Sequence, residues 1–409
     1  MELLQVDTVS EAVNKMIQVT EGRLPRKSRK PLADVLGAVL AEPALASEDV
    51  PGFDRSTVDG YAVLAEDTAG AGESLPCFLQ LKGEVLMGQA APCGITHGEC
   101  VYVPTGGMLP EGANAVVMVE YCDRFAGSVA VADAVSPGRN VVWRGEDVKA
   151  GQTVLQSGCR LRPADLGALA AIGREQVLVW EGPRTAIFST GDEIVPPGQE
   201  KLEIGQVRDI NSSAVAAQAQ QAGFRITRTA IIPDREDELR QTLKQAMADN
   251  DVVVVSGGSS QGIKDMTERV IGSISDPGIL THGLALKPGK PTIIGWDEAS
   301  STLFIGLPGH PVSAMMVFDS VLLGWWRKAT GQAPRKPIAA RLDRNVMGAP
   351  GKETYQPVRL QLTDDGWLAE PVFYRSGLIS ALAAADGFFV LDRNREGLGA
   401  GEQVLVYLY

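Results

Sequence analysis

A run rich in glycine and serine carries the strongest chemical signal in the sequence. It reads DVVVVSGGSSQGIKD over residues 251–265, the pattern of a buried strand, a turn and a following helix. Glycine lets main-chain amides approach an oxyanion without obstruction by a Cβ atom, serine adds hydroxyl donors, and the helix start adds partial positive charge. The run matches neither the Walker phosphate loop nor the GxGxxG motif. It predicts a seat for phosphate, with a purely structural loop as the alternative.

Acidic residues follow three predicted strands of the same region. Asp265 closes the glycine-rich turn, Glu193 ends the run FSTGDE, and Asp234 ends the run IPD. Each carboxylate alone would be explained as a helix cap or a solvated loop residue. Three of them at consecutive strand ends favour a cation or acid–base site, because Mg²⁺ commonly takes one or two carboxylates together with phosphate oxygens.

Two further turns offer positive charge and backbone amides. LKPGKP at residues 286–291 holds Lys287 and Lys290 on a proline-stiffened turn, and GLPGHPVS at residues 306–313 leads into a helix whose first turn tolerates Pro311. Each turn suits an oxyanion. The alternatives are solvated surface lysines and, for His310, an ordinary loop histidine, since nothing nearby resembles a Ser/His/Asp triad.

The region before these turns offers weaker signals. FDRSTVDGYAV and PTGGMLPEGANAVV are polar turns that lead into strands, and β-hairpin corners would explain them. Cys93, His97 and Cys100 could supply zinc ligands, but no CxxC pair accompanies them, so ordinary cysteines of a β-domain are the favoured interpretation. Five scattered cysteines fit reduced thiols better than a disulfide framework.

Length and patterning predict the elements that position these residues. A chain of 409 residues should form several domains. Helical spacing predicts helices over residues 8–20, 31–41 and 162–172, whereas short apolar runs between glycine-rich turns predict a β-rich insert over 51–144. Residues 1–50 and 145–178 would then form one discontinuous helical domain. Alternating strands and helices over 179–330 predict a central α/β domain with a parallel sheet, and residues 335–409 a small C-terminal β-domain.

The net charge and the N-terminal segment indicate which binding partners and which cellular compartment suit the chain. A net charge of -12 disfavours attraction to nucleic acid or to an anionic membrane, so any positive charge facing an anionic ligand must be local. The first residues lack a continuous apolar run, which argues against a signal peptide or a membrane span. The sequence therefore predicts a cytoplasmic protein.

Taken together, the motifs resemble the molybdopterin molybdenumtransferase family, which includes the gephyrin E domain. The resemblance spans nearly the whole chain and rests on several motifs in family order: FDRSTVDGYAV, PTGGMLPEGANAVV, GEDVKAGQTVL, STGDE, VSGGSSQGIKD, LKPGKP, GLPGHPVSA and RSGLISALAAADGF. It implies a molybdopterin-binding α/β domain, a barrel-like C-terminal domain and Mg²⁺-dependent insertion of molybdate into adenylylated molybdopterin, with release of AMP.

The resemblance also assigns roles by position. It places the substrate phosphates near two groups of residues: Ser256, Gly257, Gly258, Ser259, Ser260 and Gly262, and Pro308, Gly309, His310 and Ser313. It places molybdate near Lys287, Lys290, Pro291 and Ser376, and Mg²⁺ at Asp265. Asp59 and Thr105 would reach the site from the partner subunit of a homodimer, and Glu193 and Asp234 match its acidic positions. An adenylyltransferase upstream and molybdoenzymes as recipients are the implied protein partners.

Three positions depart from the family pattern. His310 stands where many members have asparagine, Gly283 where some have a basic residue, and Pro357 where an arginine is common. Arg359 or Arg375 could replace that arginine as an oxyanion ligand. Two functional alternatives also stay open from the residues: a tungstate-inserting paralogue, and a non-catalytic scaffold like the gephyrin E domain.

Overall fold

A central α/β domain carries most of the predicted site. A computed structural model describes residues 6–257, 261–373, 375 and 377–409, with the backbone alone at residues 261–265. We number the six strands of the central sheet β1 to β6 in chain order: Arg184–Thr190, Arg225–Ile232, Val252–Gly257, Pro277–His282, Ile293–Asp297 and Thr302–Pro308. Their order across the sheet is β2-β1-β3-β6-β5-β4. The predicted parallel sheet is confirmed for β2, β1, β3 and β6, whereas β5 runs antiparallel to both of its neighbours.

Helices cover both faces of this sheet, as its continuous apolar strands require. Along β1, Ile187 faces one hydrophobic cluster and Phe188 the other, and Ile305 and Phe304 of β6 alternate in the same way. The covering helices are Asn211–Gln221, Glu236–Asp249, Gln261–Ile274 and a continuous run formed by Pro311–Val317, Phe318–Leu322 and Leu323–Ala329. A short pair of strands, Ile194–Val195 and Val207–Arg208, lies in the loop after β1.

The first helix, Val9–Thr20, begins at a capping box. The Thr8 side chain accepts a hydrogen bond from the Glu11 amide, and the Glu11 carboxylate accepts one from the Thr8 amide. The buried residues Ala12 and Met16 pack into the central core. The helix contacts Leu323–Ala329 of the central domain, whereas the sequence predicts it as part of the domain formed by residues 1–50 and 145–178.

A small mixed layer links the central domain to the insert. Its elements are the strands Lys27–Pro31, Val39–Leu40, Ala44–Leu45, Thr153–Leu155 and Gln176–Trp180 and the helix Pro163–Ala171. Chain segments from both sides of the insert share one hydrophobic cluster here. The predicted helix over residues 31–41 is wrong: only Leu32–Asp34 makes a helical turn, Gly37 adopts a left-handed φ of 75°, and Val39–Leu40 pairs with Gln176–Trp180. The helix prediction relied on apolar spacing alone and did not take Gly37 into account.

The insert is β-rich, as predicted. Its main sheet contains Ala115–Met118, Gly60–Val63, Glu99–Val103, Cys77–Glu84, Ser128–Val131 and Cys122–Phe125 in that spatial order, and a smaller pair joins Arg55–Ser56 to Val141–Val142. Two short helical turns, Ala65–Thr68 and Val119–Tyr121, complete it. Cys100 is buried in the sheet, which raises the pKa of its thiol to about 12, and His97 Nδ1 lies 2.8 Å from Asp67 Oδ1.

The C-terminal domain is a small closed barrel, which confirms the expectation for this segment. Five strands close a ring in the order Glu353–Thr363, Gly366–Pro371, Ile338–Leu342, Gln403–Leu408, Gly387–Leu391 and back to Glu353–Thr363. Leu286–Lys287 adds to Glu353–Thr363, Val346–Met347 pairs with Gly397–Leu398, and a short helix spans Ser380–Ala383. In the part of the chain described, no helix is long and apolar enough to cross a membrane.

Packing of the first helix on the central core should be a major source of its stability. Met16 is fully buried, so Met16→Ala should lower the free energy of unfolding by about 2–5 kcal/mol through lost burial and a residual cavity. Gln18→Ala, on the exposed face of the same helix, should change it by less than about 0.5 kcal/mol. Urea unfolding of both variants measures the difference. Equal losses would show that this helix does not rely on the central core.

Candidate functional site

Four parallel strands end at one level on one edge of the central sheet. Thr190 at the end of β1 pairs with Ile232 of β2 on one side and with Gly257 of β3 on the other, and Gly257 pairs with Pro308 of β6. Carboxyl ends of parallel strands are where α/β proteins commonly bind ligands. The register therefore brings Gly257, at the start of the glycine-rich run, beside Pro308, at the start of the turn after β6.

A close approach between β1 and β3 requires the glycine at this edge. A Cβ atom at Gly257 would lie 1.6 Å from Thr190 Oγ1. No side chain fits there without displacing a strand. Strand packing by itself therefore requires glycine at position 257.

One buried amide joins the end of β3 to the turn after β6. Asn211, the first residue of its helix, donates from Nδ2 to Ser256 Oγ at 2.7 Å and to the Gly309 carbonyl at 2.8 Å. Its Oδ1 atom is buried and has no hydrogen-bond partner among the described residues. The motifs did not single out Asn211, although an asparagine at a predicted helix start was a usable signal. Its side chain ties the helix to the end of β3 and to the turn after β6, whose spacing the pairing of the two strands sets.

A buried carboxylate holds the start of the same helix. Asp209 accepts hydrogen bonds from Ser189 Oγ at 2.8 Å, from the Ser212 amide at 3.1 Å and from Ser212 Oγ at 2.5 Å. These donors satisfy a charge that would otherwise be costly to bury. Asp209 therefore fixes the position of the helix that carries Asn211 relative to the end of β1. The sequence motifs did not single out Asp209.

Three carboxylates converge beside β1 and β2. The Asp234 amide donates to Asp192 Oδ1 at 3.2 Å, and burial, followed by repulsion from Asp192 and then Glu193, raises the pKa of Asp234. Asp234 Oδ1 is buried without a hydrogen-bond partner in the described residues. The predicted convergence of Glu193 and Asp234 is thus present. No set of three or more His, Cys, Asp and Glu side chains among the described residues is arranged to hold a metal ion by itself.

The lysine turn lies between the central domain and the barrel. Lys287 pairs with Thr354 of the barrel, and Lys287 and Lys290 are both exposed. Gly289 has a φ of 127°, and a Cβ atom there would lie 2.5 Å from Val317 Cγ2. The turn is therefore packed against the helix that follows the GLPGHP run. This packing fixes the backbone that carries the two lysines.

The turn after β6 has the predicted helix start. His310 occupies the cap position with an extended backbone, its carbonyl accepts from the Ala314 amide, and Pro311 takes the first helical position. Ser313 is buried in the first turn. His310 itself is exposed.

Asp59 and Thr105 lie together in the insert. Asp59 Oδ1 accepts hydrogen bonds from the Thr105 amide at 2.7 Å and from Thr105 Oγ1 at 3.0 Å. Both residues are exposed, and in the described part of one chain neither side chain bonds to a residue of the central sheet. Asp59 and Thr105 are therefore hydrogen-bonded to each other, as a pair. Within the described part of one chain, no hydrogen bond links this pair to the other predicted site residues.

Several predicted positions fall outside the described structure. They are Gly258, Ser259, Ser260, Ser376 and the side chain of Asp265, while Gly262 belongs to the described backbone of the helix Gln261–Ile274. Of the arginines considered as replacements near Pro357, Arg359 donates from Nε to the Ala384 carbonyl at 2.7 Å. Arg375 is exposed, and its carbonyl accepts from the Leu378 amide.

The crowded carboxylates should make stability depend on pH. The pKa of Asp234 is higher in the folded state than in the unfolded chain, so the folded state binds the proton more tightly. Stability therefore falls as pH rises from the ordinary carboxyl value through the raised one, and the penalty persists above it. Asp234→Asn should unfold at higher urea than the wild type near neutral pH, with a gain that disappears in acid. Asp237→Asn is the exposed control, and a gain independent of pH would contradict this account.

Comparison with known proteins agrees with this arrangement. Residues 5–173 match the family description "MoeA N-terminal region (domain I and II)", residues 186–328 match "Probable molybdopterin binding domain", and residues 339–409 match "MoeA C-terminal region (domain IV)". The molybdopterin molybdenumtransferase of Haemophilus influenzae is 31% identical over 408 residues, covering 98% of each chain. Molybdopterin molybdenumtransferase 2 of Mycobacterium tuberculosis is 32% identical over 386 residues, covering 92% of this chain and 94% of that protein.

Solved structures show the same fold. Two crystal structures of the molybdopterin biosynthesis MoeA protein from Pyrococcus horikoshii superpose with a TM-score of 0.81, at 34% and 29% identity. Both cover 99% of this chain, and it covers 99% and 100% of theirs. The three family regions occur in order, and full-length relatives share both the sequence pattern and the fold. The chain therefore belongs to the molybdopterin molybdenumtransferase family.

Proposed function

We propose that this chain is a molybdopterin molybdenumtransferase that inserts molybdate into adenylylated molybdopterin with release of AMP. The observation that carries the proposal is the Asn211 bridge, which ties the end of β3 to the turn after β6 at the carboxyl edge of the sheet. An acidic chain needs such local donors to bind a substrate that carries phosphates and a second oxyanion. The full-length relatives with this name support the same activity.

The substrate phosphates would bind between the two turns. Ser256 and Gly257, followed by Gly258, Ser259, Ser260 and Gly262, would offer hydroxyl and amide donors from one side. Pro308, Gly309, His310 and Ser313 would form the other side, where the amides of a helix start point toward an anion. Because strand pairing and the Asn211 hydrogen bonds hold Ser256 and Gly309 in place before binding, little reorganisation would be needed when charge develops on the phosphate oxygens.

Molybdate, as the second substrate, would bind at the lysine turn. Lys287 and Lys290 supply two exposed charges, and Pro291 and Ser376 complete the assigned positions. A tetrahedral dianion requires several charge-assisted donors. The packing of Gly289 on Val317 supports this role, because it holds the lysines near the helix that begins at the phosphate turn.

The acidic residues suit a hard divalent cation. The partnerless Asp234 oxygen and its neighbours Asp192 and Glu193 are oxygen donors of the kind Mg²⁺ prefers, and such a site is usually completed by substrate oxygens and water. Asp265 would hold the Mg²⁺, which would neutralise charge on the pyrophosphate as its bond breaks. Asp234, with its raised pKa, would accept a proton from the attacking water.

The Asp59–Thr105 pair would complete the site from the partner subunit of a homodimer. The pair is preformed and exposed, as a group offered across an interface should be.

The five free cysteines support a cytoplasmic location, where thiols stay reduced.

Turnover of adenylylated molybdopterin tests the proposed function. The purified chain, supplied with this substrate, Mg²⁺ and molybdate, should release AMP and yield molybdenum-loaded cofactor. Lys287→Ala and Asp265→Asn should each lower kcat by about 10²–10³, the usual cost of removing a preorganised charge. Lys244→Ala, at an exposed helix position, is the matched control. Binding without AMP release would identify a scaffold, and preferred loading of tungstate in a competition titration would identify the other paralogue.

Loss of the Asn211 bridge should affect binding more than chemistry. Asn211→Ala leaves Ser256 Oγ and the Gly309 carbonyl without their shared donor, so the turn at Gly309 should be held less firmly beside the end of β3. We expect KM for adenylylated molybdopterin to rise about tenfold, equivalent to about 1.4 kcal/mol, with a smaller fall in kcat. Gln220→Ala, exposed on the same helix, serves as control. An unchanged KM would exclude a positioning role.

A further inference from the structure

A cavity lies between the central domain and the barrel. Its volume is about 830 Å³, and its apolar lining includes Ala214, Ala217, Met315, Leu323, Ile379 and Leu382. None of the predicted site residues with described side chains lines it. A cavity of this size at a domain interface, mostly apolar with a few polar groups, is typical of sites for small organic molecules.

Positive charge dominates the polar part of this lining. Arg160, Arg327, Arg335 and Lys336 face one carboxylate side chain, Asp319, among the described residues that line the cavity. Lys336 is exposed and has no ion pair or hydrogen bond within the described structure. In a protein of net charge -12, four cations around one apolar cavity are a local reversal of sign. Such a reversal favours an anionic occupant.

The charge of Arg327 is incompletely balanced. Arg335 forms a two-pronged ion pair with the Asp319 carboxylate, with Nη1 2.9 Å from Oδ2. Arg327 lies 3.8 Å from the same carboxylate through Nη1 and donates from Nη2 to the Asp319 carbonyl at 3.0 Å. One carboxylate cannot neutralise two guanidinium groups. Burial, with repulsion from Arg335, lowers the pKa of Arg327, as expected for a charge that lacks a full counter-ion.

We propose that this cavity binds a small organic anion with an apolar or aromatic body. The body would rest on the apolar floor formed by Ala217, Met315 and Leu382, and the anionic group would meet Arg327 and Lys336. Carboxylate, sulfonate and phosphate groups all match a guanidinium in charge and geometry. The proposal uses none of the described side chains assigned to the substrates, so it does not rest on the proposed function.

Fluorescence titration with anilinonaphthalene sulfonate, an aromatic anion, tests the site on the full-length protein. The wild type should bind the probe at one saturable site. Ala217→Trp would fill the cavity from an exposed helix position, and binding should weaken at least about tenfold. Gln220→Trp adds the same ring to the same helix outside the cavity and should bind as the wild type does. Equal affinity in Ala217→Trp and the wild type would overturn the proposal.

A second comparison isolates the charge. Lys336→Gln, at an exposed position that leaves the core intact, should weaken the sulfonate about threefold or more, as expected for one partly screened charge. Its affinity for uncharged phenylnaphthylamine should not change. Lys244→Gln is the control for net charge. If the charged and uncharged probes respond equally to Lys336→Gln, the cavity is apolar without being anion-selective, and the proposal is wrong.

Discussion

The junction of β3, β6 and the Asn211 helix at one sheet edge is the constraint on which the site depends. Pairing of β3 with β6 sets the spacing of their ends. The Asn211 amide ties the helix to both chains by donating to Ser256 and to the Gly309 carbonyl at the same time. Both hydrogen bonds are largely removed from water. In such a buried place, the loss of one partner costs more free energy of folding than an exposed hydrogen bond contributes. The geometry is therefore maintained without a bound ligand.

The rest of the central domain supports this contact. Asp209 holds the helix start that presents Asn211, and Gly257 lets β1 and β3 lie close enough for the strand ends to stay level. On the far side of the edge, the packing of Gly289 against Val317 anchors the lysine turn to a helix of the same domain. Hydrophobic clusters on both faces of the sheet keep these parts rigid. Anion recognition here follows from packing as much as from charge.

Local charge, rather than net charge, governs what this acidic protein can bind. Lys287 and Lys290 are exposed on one turn, while Asp192 and Glu193 lie near Asp234 and, together with burial, raise its pKa. Crowding of like charges is unfavourable for the isolated chain, and a bound cation would offset it. The cavity beside the barrel shows the same principle with opposite sign, since Arg327 and Arg335 share one carboxylate.

The sequence by itself determined the chemistry-bearing turns, the four parallel strands of the central sheet, the β-rich insert and a C-terminal β-domain, because local propensity and periodicity encode each of them. It did not reveal β4 and β5 of the central sheet, the packing of Val9–Thr20 on the central core, or the turns and strand of residues 31–41. Only the tertiary structure showed that Asn211 links the end of β3 to the turn after β6 and that Arg327 competes for Asp319. Those contacts join residues far apart in sequence, where no local pattern specifies the partner, and folding alone brings them together.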